Sequence, residues 1–424
     1  MKTIFKLLLV SLTFFSSCTY DPIEPVLVLV DEPTPIPTPI PDSLVTIPPS
    51  GLVPCEDGQA GIYPCLGYDL QALVSLETMG TTFGNDSWGW TDALTGKEYA
   101  IMGVKDGTAF IDISTPDQPI YLGKLPTASI PSTWRDIKVY QDYAFVVSEA
   151  SEHGLQVFDL TRLRDITRVQ RFTADARNDS FGSAHNIAIN ETSGFAYVIG
   201  SDLFDGGPAF FDINDPLNPI LVGGFSDEAY AHDAHIVTYD GPDLEHQGKE
   251  IFFGSNSIDR ENNQVVIVDV TDKTAPILIS NITYSNDGYT HQGWLAEDHQ
   301  YFYLGDEFDE LTFGNRTKTF VFDLEDLDNP VLHYNYFGPT NAIDHNGYTK
   351  GNSFFLANYT AGMREIDIQN IASGVMEEVG FFDTYPLNNA TGFDGVWSVY
   401  PYFESGVIVI SDSDSGLFLV KASE

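Results

Sequence analysis

The chain has few basic residues. Only 20 Lys and Arg stand against 61 Asp and Glu among 424 residues, so the formal net charge is −41. Because binding to phosphates needs clustered Lys and Arg, this balance argues against a nucleic-acid partner, and it also disfavours adsorption to anionic lipid. The acidic excess indicates either a surface kept soluble at high salt or acidic turns that collect divalent cations.

Recognisable catalytic motifs are also missing. The sequence contains no Gly-x-Ser-x-Gly elbow, no phosphate-cradling glycine loop, no His-Glu-x-x-His helix and no dinucleotide fingerprint. The members of a Ser/His/Asp triad need not be adjacent, yet nothing in the sequence singles one out. The sequence therefore leaves open whether any reaction is catalysed.

Cysteine is scarce, with three residues in the whole chain. Cys55 and Cys65 form an even pair, which in an oxidising compartment most simply makes a disulfide. The alternative for this pair is a zinc site, for which two thiolates alone are a poor ligand set. Cys18 belongs to the N-terminal signal described next, so no thiol nucleophile is left.

The N-terminus has an apolar run that is too short to span a bilayer. Residues 1–6 carry two lysines, residues 7–15 are mostly apolar, and Phe15-Ser16-Ser17-Cys18 follows. This segment resembles the lipobox of bacterial lipoproteins, which implies a signal peptide over residues 1–17 and lipidation of Cys18. An ordinary cleaved secretory signal is the alternative. We therefore predict an exported outer-membrane lipoprotein, periplasmic or at the cell surface, whose only membrane contact is its lipid anchor.

Proline is concentrated between Cys18 and residue 54, above all in the tract at 33–39. Such a tract favours extended polyproline geometry and cannot pack a core. The lipidated Cys18 and this segment, 18–54, are predicted to act as a spacer that holds a folded body, residues 55–424, away from the membrane.

An internal repeat fills that body. A strand that ends in Asp recurs at intervals of roughly 50 residues, and a turn and another apolar strand follow each one. The six aspartates are Asp112, Asp159, Asp212, Asp269, Asp323 and Asp367. Four short strands in each repeat predict an all-β fold made of propeller blades.

The ends of the repeat predict seven blades. The last repeat stops after a strand at 416–421 and lacks its final strand, whereas residues 71–76 form one unpaired strand before the first repeat. Donating this N-terminal strand to the last blade would close the ring and remove its exposed edges. We therefore expect a seven-bladed β-propeller that an N-terminal strand completes.

The Asp-ending strand with its Pro-rich turn resembles the LVIVD-repeat propellers. A wider pattern over roughly residues 53 to 424 includes the stretches Gly61-Ile62-Tyr63-Pro64-Cys65, His185-Asn186-Ile187-Ala188-Ile189, His232-Asp233-Ala234-His235, Tyr289-Thr290-His291-Gln292-Gly293-Trp294 and Ile343-Asp344-His345-Asn346. This pattern looks like the choice-of-anchor B family of bacterial surface proteins. The resemblance implies a propeller attached to the cell envelope and no established reaction.

Four consecutive blades offer histidine at one position of the innermost strand. Alignment of the blades places Ser87, Trp134, His185, His232, His291, His345 and Asp394 at this first position. The whole protein has nine histidines, so chance would rarely produce the pattern. If the first position faces the channel, the four imidazoles and Asp394 meet at one channel mouth.

Two interpretations of these residues compete. Each histidine could bond to the backbone of the next blade and fasten the blades together. Alternatively, His185, His232, His291, His345 and Asp394 could bind a transition metal, zinc or copper, with Asn186, Asp233 or Asp344 orienting the rings. A metal-free mouth for an anionic or sugar ligand is a third interpretation. The predicted ligand-binding residues at this face are Trp134, Arg135, Asn186, Asp233, Gln292, Asn346 and Trp397.

Further predictions concern other residues of the inner strands, the remaining histidines and two acidic tracts. Small residues such as Gly293 and Gly347 at the third position indicate crowding around the axis, and the orientation of His235 depends on whether its strand has a bulge. The histidines elsewhere are expected in solvent: His153, His246, His299 and His333. Two acidic tracts, at 306–310 and 412–416, could bind calcium or could be solvated turns.

The favoured function is a non-catalytic envelope protein that binds an extracellular or periplasmic protein, a glycan or a small ligand through the channel face. A metal-dependent enzyme that uses the histidines is the alternative, and adhesion through the rim is a third hypothesis.

Overall fold

The computed structural model describes residues 45–46, 52–228, 230–258 and 261–424. In this part of the chain, seven antiparallel sheets of four main strands each are found, as predicted. The innermost strand of each sheet contacts that of the next, and the seventh contacts the first. The fold is therefore a closed seven-bladed β-propeller. The predicted signal peptide, Cys18 and the Pro-rich tract lie outside the described residues.

Each blade has four strands, counted from the channel outwards. The innermost strands are Gly84–Thr91, Arg135–Tyr140, Asn186–Asn190, Ala231–Thr238, Thr290–Leu295, Gly347–Lys350 and Val396–Tyr400. The second strands are Glu98–Val104, Tyr143–Ser148, Phe195–Ile199, Glu250–Ile258, Tyr301–Asp306, Ser353–Ala357 and Ile408–Asp412. The third strands are Gly107–Asp112, Leu155–Asp159, Ala209–Asp212, Glu261–Asp269, Lys318–Asp323, Met363–Asp367 and Gly416–Ala422. The outer strands are Ile120–Pro126, Ala176–Asn178, Ile220–Gly224, Ile277–Ile282, Val331–Phe337, Glu377–Phe382 and, in the last blade, Tyr68–Ser75.

The ring closes through that N-terminal strand. Tyr68–Ser75 pairs antiparallel with Gly416–Ala422 and forms the outer edge of the seventh blade. Its side chains alternate strictly between buried and half-buried positions, as expected of an amphipathic strand. The predicted donation of an N-terminal strand is confirmed.

The recurrent aspartate has a structural role. In all six repeats its Oδ1 accepts a hydrogen bond of 2.8–3.0 Å from the backbone N–H two residues later. A short acidic side chain that bonds its own backbone in this way stabilises a turn. The repeat motif therefore stops each third strand and turns the chain towards the outer strand.

The apolar core lies between the blades. Seven clusters of buried apolar side chains occur among the described residues, and each joins two adjacent blades. Phe110 of the first blade, for example, stacks on Phe158 of the second, with ring centroids 4.6 Å apart. The many Phe and Tyr residues of the sequence fill these interfaces.

A hairpin, two short strands and a few helical turns are added to the four main strands of the blades. A hairpin of Gln59–Ala60 and Tyr63–Leu66 extends the sixth blade by pairing with Glu377–Phe382, and the predicted disulfide between Cys55 and Cys65 fastens it. Short strands Val45–Thr46 and Gln170–Arg171 flank the outer strand of the first blade. The described helices are Asp309–Phe313 and the 3₁₀ turns Leu160–Leu163, Phe204–Gly206 and Ile371–Ser373, and among the described residues no helix has the length and apolar character to span a bilayer.

Candidate functional site

A β-bulge near the start of four of the seven inner strands, in the first, fourth, fifth and seventh blades, affects which residues reach the channel. In the fifth blade Thr290 pairs with Asp306 and Gln292 with Gly305, so that His291 is an extra residue. His232 occupies the same place in the fourth blade, between Ala231 and Asp233. Since a bulge breaks the strict alternation of sides, each histidine and the polar residue after it both face the channel.

The equivalent residues of the seven blades form what we call the mouth ring. It consists of Asn85, Arg135, His185, His232, His291, His345 and Trp397. The prediction that four consecutive blades place histidine at one register position is confirmed. The predicted alignment was wrong in the other three blades, where Ser87, Trp134 and Asp394 were aligned with the histidines. Those blades carry no histidine to mark the register, and the bulges are not visible in the sequence.

The four imidazoles lie side by side around the channel. Ring centroids of neighbours are 4.1 Å apart for His185–His232 and 4.3 Å apart for His232–His291 and for His291–His345. Nδ1 of His232 donates to the backbone oxygen of His291 at 3.0 Å, and Nδ1 of His345 donates to that of Trp397 at 2.5 Å. In a neutral ring this leaves the lone pair on Nε2, the usual arrangement of a metal-binding histidine.

Glu307 supplies the carboxylate of the site. It follows the second strand of the fifth blade, and its two oxygens lie 3.8 Å from Nε2 of His291 and 3.7 Å from Nε2 of His345. The ligand atoms of these three residues all lie within 4.8 Å of one another, and the Tyr359 hydroxyl also donates to Glu307 at 2.8 Å. The sequence shows Glu307 in an acidic tract, but nothing in that tract indicates contact with the histidines.

Asp394 does not join this group. It is exposed, and its carboxylate accepts a hydrogen bond of 3.4 Å from the Tyr385 hydroxyl. It is also not among the residues that line the cavity next to the histidines. Glu307 takes the place that the sequence assigned to Asp394.

Three of the four imidazoles, those of His232, His291 and His345, are buried, and burial favours their neutral form. Burial lowers the pKa of His232 and the pKa of His291 well below the ordinary range, and neighbouring histidines add to the effect. Burial also lowers the pKa of His345 to about 3. A neutral imidazole keeps the lone pair that a metal ion needs.

A cavity of 310 Å³, the histidine cavity, opens next to the imidazoles. The predicted ligand-binding residues Trp134, Arg135, Asn186, Asn346 and Trp397 line it together with the four histidines. Asp233 and Gln292 are buried and accept hydrogen bonds from backbone N–H groups, those of Ala234 and Gly347 respectively. The structure thus brings five of the seven residues to the cavity.

The floor of the histidine cavity is charged. Asp86 and Asp136 line it, and Nζ of Lys138 lies 2.7 Å from Asp136 and 3.5 Å from Asp86. Burial raises the pKa of Asp86 well above its usual value, in spite of the Lys138 ammonium. This buried ion group separates the cavity from the other end of the channel.

The remaining histidines are less solvated than predicted. His153 and His246 are buried, so the prediction that they lie in solvent was wrong, whereas His299 and His333 are half-buried and keep some contact with solvent. His246 lies 3.2 Å from Asp328 and 3.9 Å from Asp243, and these residues form the second group of metal-type ligands among the described residues. His235 faces the channel side, because the bulge at His232 shifts the alternation.

The acidic tracts at 306–310 and 412–416 differ in the hydrogen bonding of their carboxylates. Asp412 is a hydrogen-bonded turn residue, which accepts from the Thr384 hydroxyl and from the backbone N–H groups of Asp414 and Ser415. In the other tract, Asp309 is fully buried and neither of its carboxylate oxygens accepts a hydrogen bond from the described residues. Both carboxylate oxygens of the neighbouring buried Asp344 likewise accept no hydrogen bond from the described residues.

Comparison with known proteins is consistent with the repeat. The LVIVD repeat family matches residues 259–283, which include the whole third strand and the whole outer strand of the fourth blade. No curated protein matches the sequence. Among solved structures, the chain is similar to the β-propeller domain of Cps50 (Swd1) from Myceliophteria thermophila, with 12% identity, 77% of this chain and 94% of that chain covered, and a TM-score of 0.49. The blade count rests on the hydrogen-bonded sheets described above, and the propeller fold suggests a binding or scaffold role.

Proposed function

We propose that this protein is a non-catalytic binding protein of the bacterial cell envelope, and that its histidine cavity holds a transition-metal ion, zinc or copper. The observation that carries the proposal is the convergence of His291, His345 and Glu307, whose ligand atoms lie within 4.8 Å of one another. Two imidazoles and a carboxylate are a ligand set that both metals accept.

The distances suit a metal ion after a small adjustment. In a tetrahedral zinc site with bonds of about 2 Å, ligand atoms lie about 3.3 Å apart. The two distances from Glu307 to the imidazole nitrogens, 3.8 Å and 3.7 Å, exceed this value by about half an ångström. His232 is the neighbour of His291 in the ring, with centroids 4.3 Å apart, but it lies outside the group within 4.8 Å and would have to move to provide a further nitrogen.

The surroundings also favour a small occupant. The 310 Å³ of the histidine cavity includes space that is open to solvent, so the room enclosed between the side chains is smaller than a typical small-molecule site. A glycan chain or a protein would contact the rim, where Trp134 is about half exposed. An ion or a small ligand bound to an ion fits the cavity best.

The test is metal binding by the mature protein. We expect the purified protein to take up about one equivalent of Zn²⁺ or Cu²⁺, measured by elemental analysis after dialysis and by calorimetry. His291→Ala and Glu307→Gln should each weaken binding by about tenfold or more.

The chain offers a matched control in its second ligand group. His246→Ala removes the histidine of the Asp243–His246–Asp328 cluster and should leave the binding unchanged. Protein that takes up no metal, or whose uptake is lost with His246→Ala and kept in His291→Ala, would overturn the proposal. Circular dichroism of each variant shows whether it is folded.

Envelope anchoring has a separate test. The lipobox-like segment before Cys18 supports lipidation, and the resemblance to choice-of-anchor B proteins supports attachment to the envelope. We expect the expressed protein to be labelled by a radioactive fatty acid and to partition into detergent, and Cys18→Ser to abolish both. Labelling that survives this substitution would contradict lipidation at Cys18.

A further inference from the structure

A second cavity lies beyond the charged floor, at the other end of the inner strands. Its empty volume is 820 Å³. It is lined in part by Trp88, His235 and Trp294. Each of these lies three residues after the mouth-ring residue of its own strand. Because the mouth-ring residue lies at a bulge in these three strands, the step covers about 7 Å of strand. The two cavities share no lining residue and lie towards opposite ends of the channel.

Aromatic rings dominate this second cavity, which we call the aromatic cup: Trp88, His235, Trp294, Tyr400 and Tyr402. The rings contact one another in series. Trp294 stacks on His235 at a centroid distance of 3.8 Å, and Trp88 lies 5.2 Å from Tyr400 and 6.3 Å from Tyr402. All five side chains are half-buried, so each presents some surface to the cup.

The charged residues of the cup are carboxylates. Glu191 and Glu297 line it and are exposed, and its lining contains neither Lys nor Arg. Burial lowers the pKa of His235 to about 3, so its ring adds no positive charge. The whole chain has a net charge of −41. Apart from the Lys138 ammonium beside Trp88, the charges at this mouth are negative and attract cations.

The fold itself already places an ammonium group on one of these rings. Nζ of Lys138 lies 4.7 Å from the centroid of Trp88, on a side chain that belongs to the charged floor. The electron-rich faces of Trp and Tyr attract ammonium groups, and cages of such rings recognise quaternary ammonium ligands.

We propose that the aromatic cup binds an organic ammonium cation of the choline type, with the rings of Trp88 and Trp294 against its methyl groups and Glu191 and Glu297 near its charge. This site is separate from the metal site and does not depend on it. It gives the propeller a second binding function at the opposite mouth.

The test compares choline with its neutral isostere, 3,3-dimethylbutan-1-ol, which has the same shape without the charge. Calorimetry and tryptophan fluorescence of the full mature protein should show that choline binds and that the isostere binds about tenfold more weakly. Glu191→Gln and Glu297→Gln preserve the rings and the shape of the cup. Together they should reduce choline binding and leave the binding of the isostere unchanged.

A tryptophan substitution locates the site. Trp294→Leu should abolish choline binding, whereas Trp134→Leu, at the histidine cavity, should have no effect. Equal binding of choline and the isostere, no binding of choline at millimolar concentration, or equal loss in the two tryptophan variants would overturn the proposal. Binding of a neutral disaccharide such as cellobiose in preference to choline would do so as well, and would identify a carbohydrate site.

Discussion

The guanidinium group of Arg135 donates a hydrogen bond of 2.9 Å to Nε2 of His153. Nδ1 of the same ring donates to the backbone oxygen of Gly154 at 2.8 Å, and both side chains are buried. The ring must therefore be neutral, because a protonated Nε2 could not accept from Arg135. Arg135 belongs to the mouth ring, so His153 holds the mouth-ring guanidinium in its position beside the histidine cavity.

This pair predicts a dependence of stability on pH. Burial, with Arg135 as the next cause, lowers the pKa of His153 to about 4, from 6.5 in an unfolded chain. Between pH 6.5 and about pH 4, His153 is protonated in the unfolded state but remains neutral in the native state. The stabilisation, up to about 3 kcal/mol, is therefore complete above pH 6.5 and is lost as the pH falls towards 4.

The measurement is urea unfolding at pH 7 and pH 4.5 for the wild type and for His153→Gln. Glutamine keeps a polar group but does not titrate, so the variant should lose less stability between the two pH values than the wild type does. Equal losses would show that His153 is not responsible. The other buried histidines act with the same sign in both proteins and cancel in this comparison.

A second prediction concerns closure of the ring. Val74 of the N-terminal strand is fully buried in the cluster that joins the last blade to the first. Val74→Asp places a charge there and should cost about 3 kcal/mol or more of unfolding free energy. The control is Gln71→Asp in the same strand, whose side chain is half-buried, and which should cost far less. Similar thermal midpoints for the two variants would contradict closure by this strand.

A third prediction concerns the disulfide. Cys55 and Cys65 close a short loop, and Cys65 lies in the strand that pairs with Glu377–Phe382 of the sixth blade. The double substitution to serine should lower the free energy of unfolding by about 2–3 kcal/mol, measured by thermal unfolding of the wild type and the variant. Cys18→Ser should leave it unchanged. A double variant as stable as the wild type would show that the hairpin is held by its strand pairing alone.

The architecture could be predicted because it repeats. Six aspartates at equivalent places, each ending a strand, made the blades visible without any knowledge of long-range contacts. The unpaired strand at 71–76 was also sufficient to predict closure, since an incomplete last blade needs a partner. The regular repeat along the chain was therefore sufficient to predict both the blades and the closure of the ring.

The site was harder to predict because it depends on irregularities. Glu307 reaches the histidines from a loop, and Trp397 replaces Asp394 in the mouth ring because of a bulge. The crowding predicted at the small residues has two different sources. A Cβ on Gly293 would lie 2.1 Å from the ring of Phe302 in the same blade, whereas a Cβ on Gly89 would lie 2.2 Å from the ring of Tyr400 in the neighbouring seventh blade.

The last prediction concerns the buried Asp309, whose oxygens accept no hydrogen bond from the described residues. Its ion-pair partner is the Lys318 ammonium at 3.7 Å. Because an unsatisfied buried carboxylate costs free energy, Asp309→Asn should raise the free energy of unfolding by about 1–2 kcal/mol in a chelating buffer. Calcium, which prefers oxygen ligands, should stabilise the wild type more than this variant. The exposed acid Asp298 is the control, because Asp298→Asn should change neither result. If millimolar calcium shifts the thermal midpoints of the wild type and Asp309→Asn equally, then calcium does not bind at this tract and the carboxylate is neutralised by a proton.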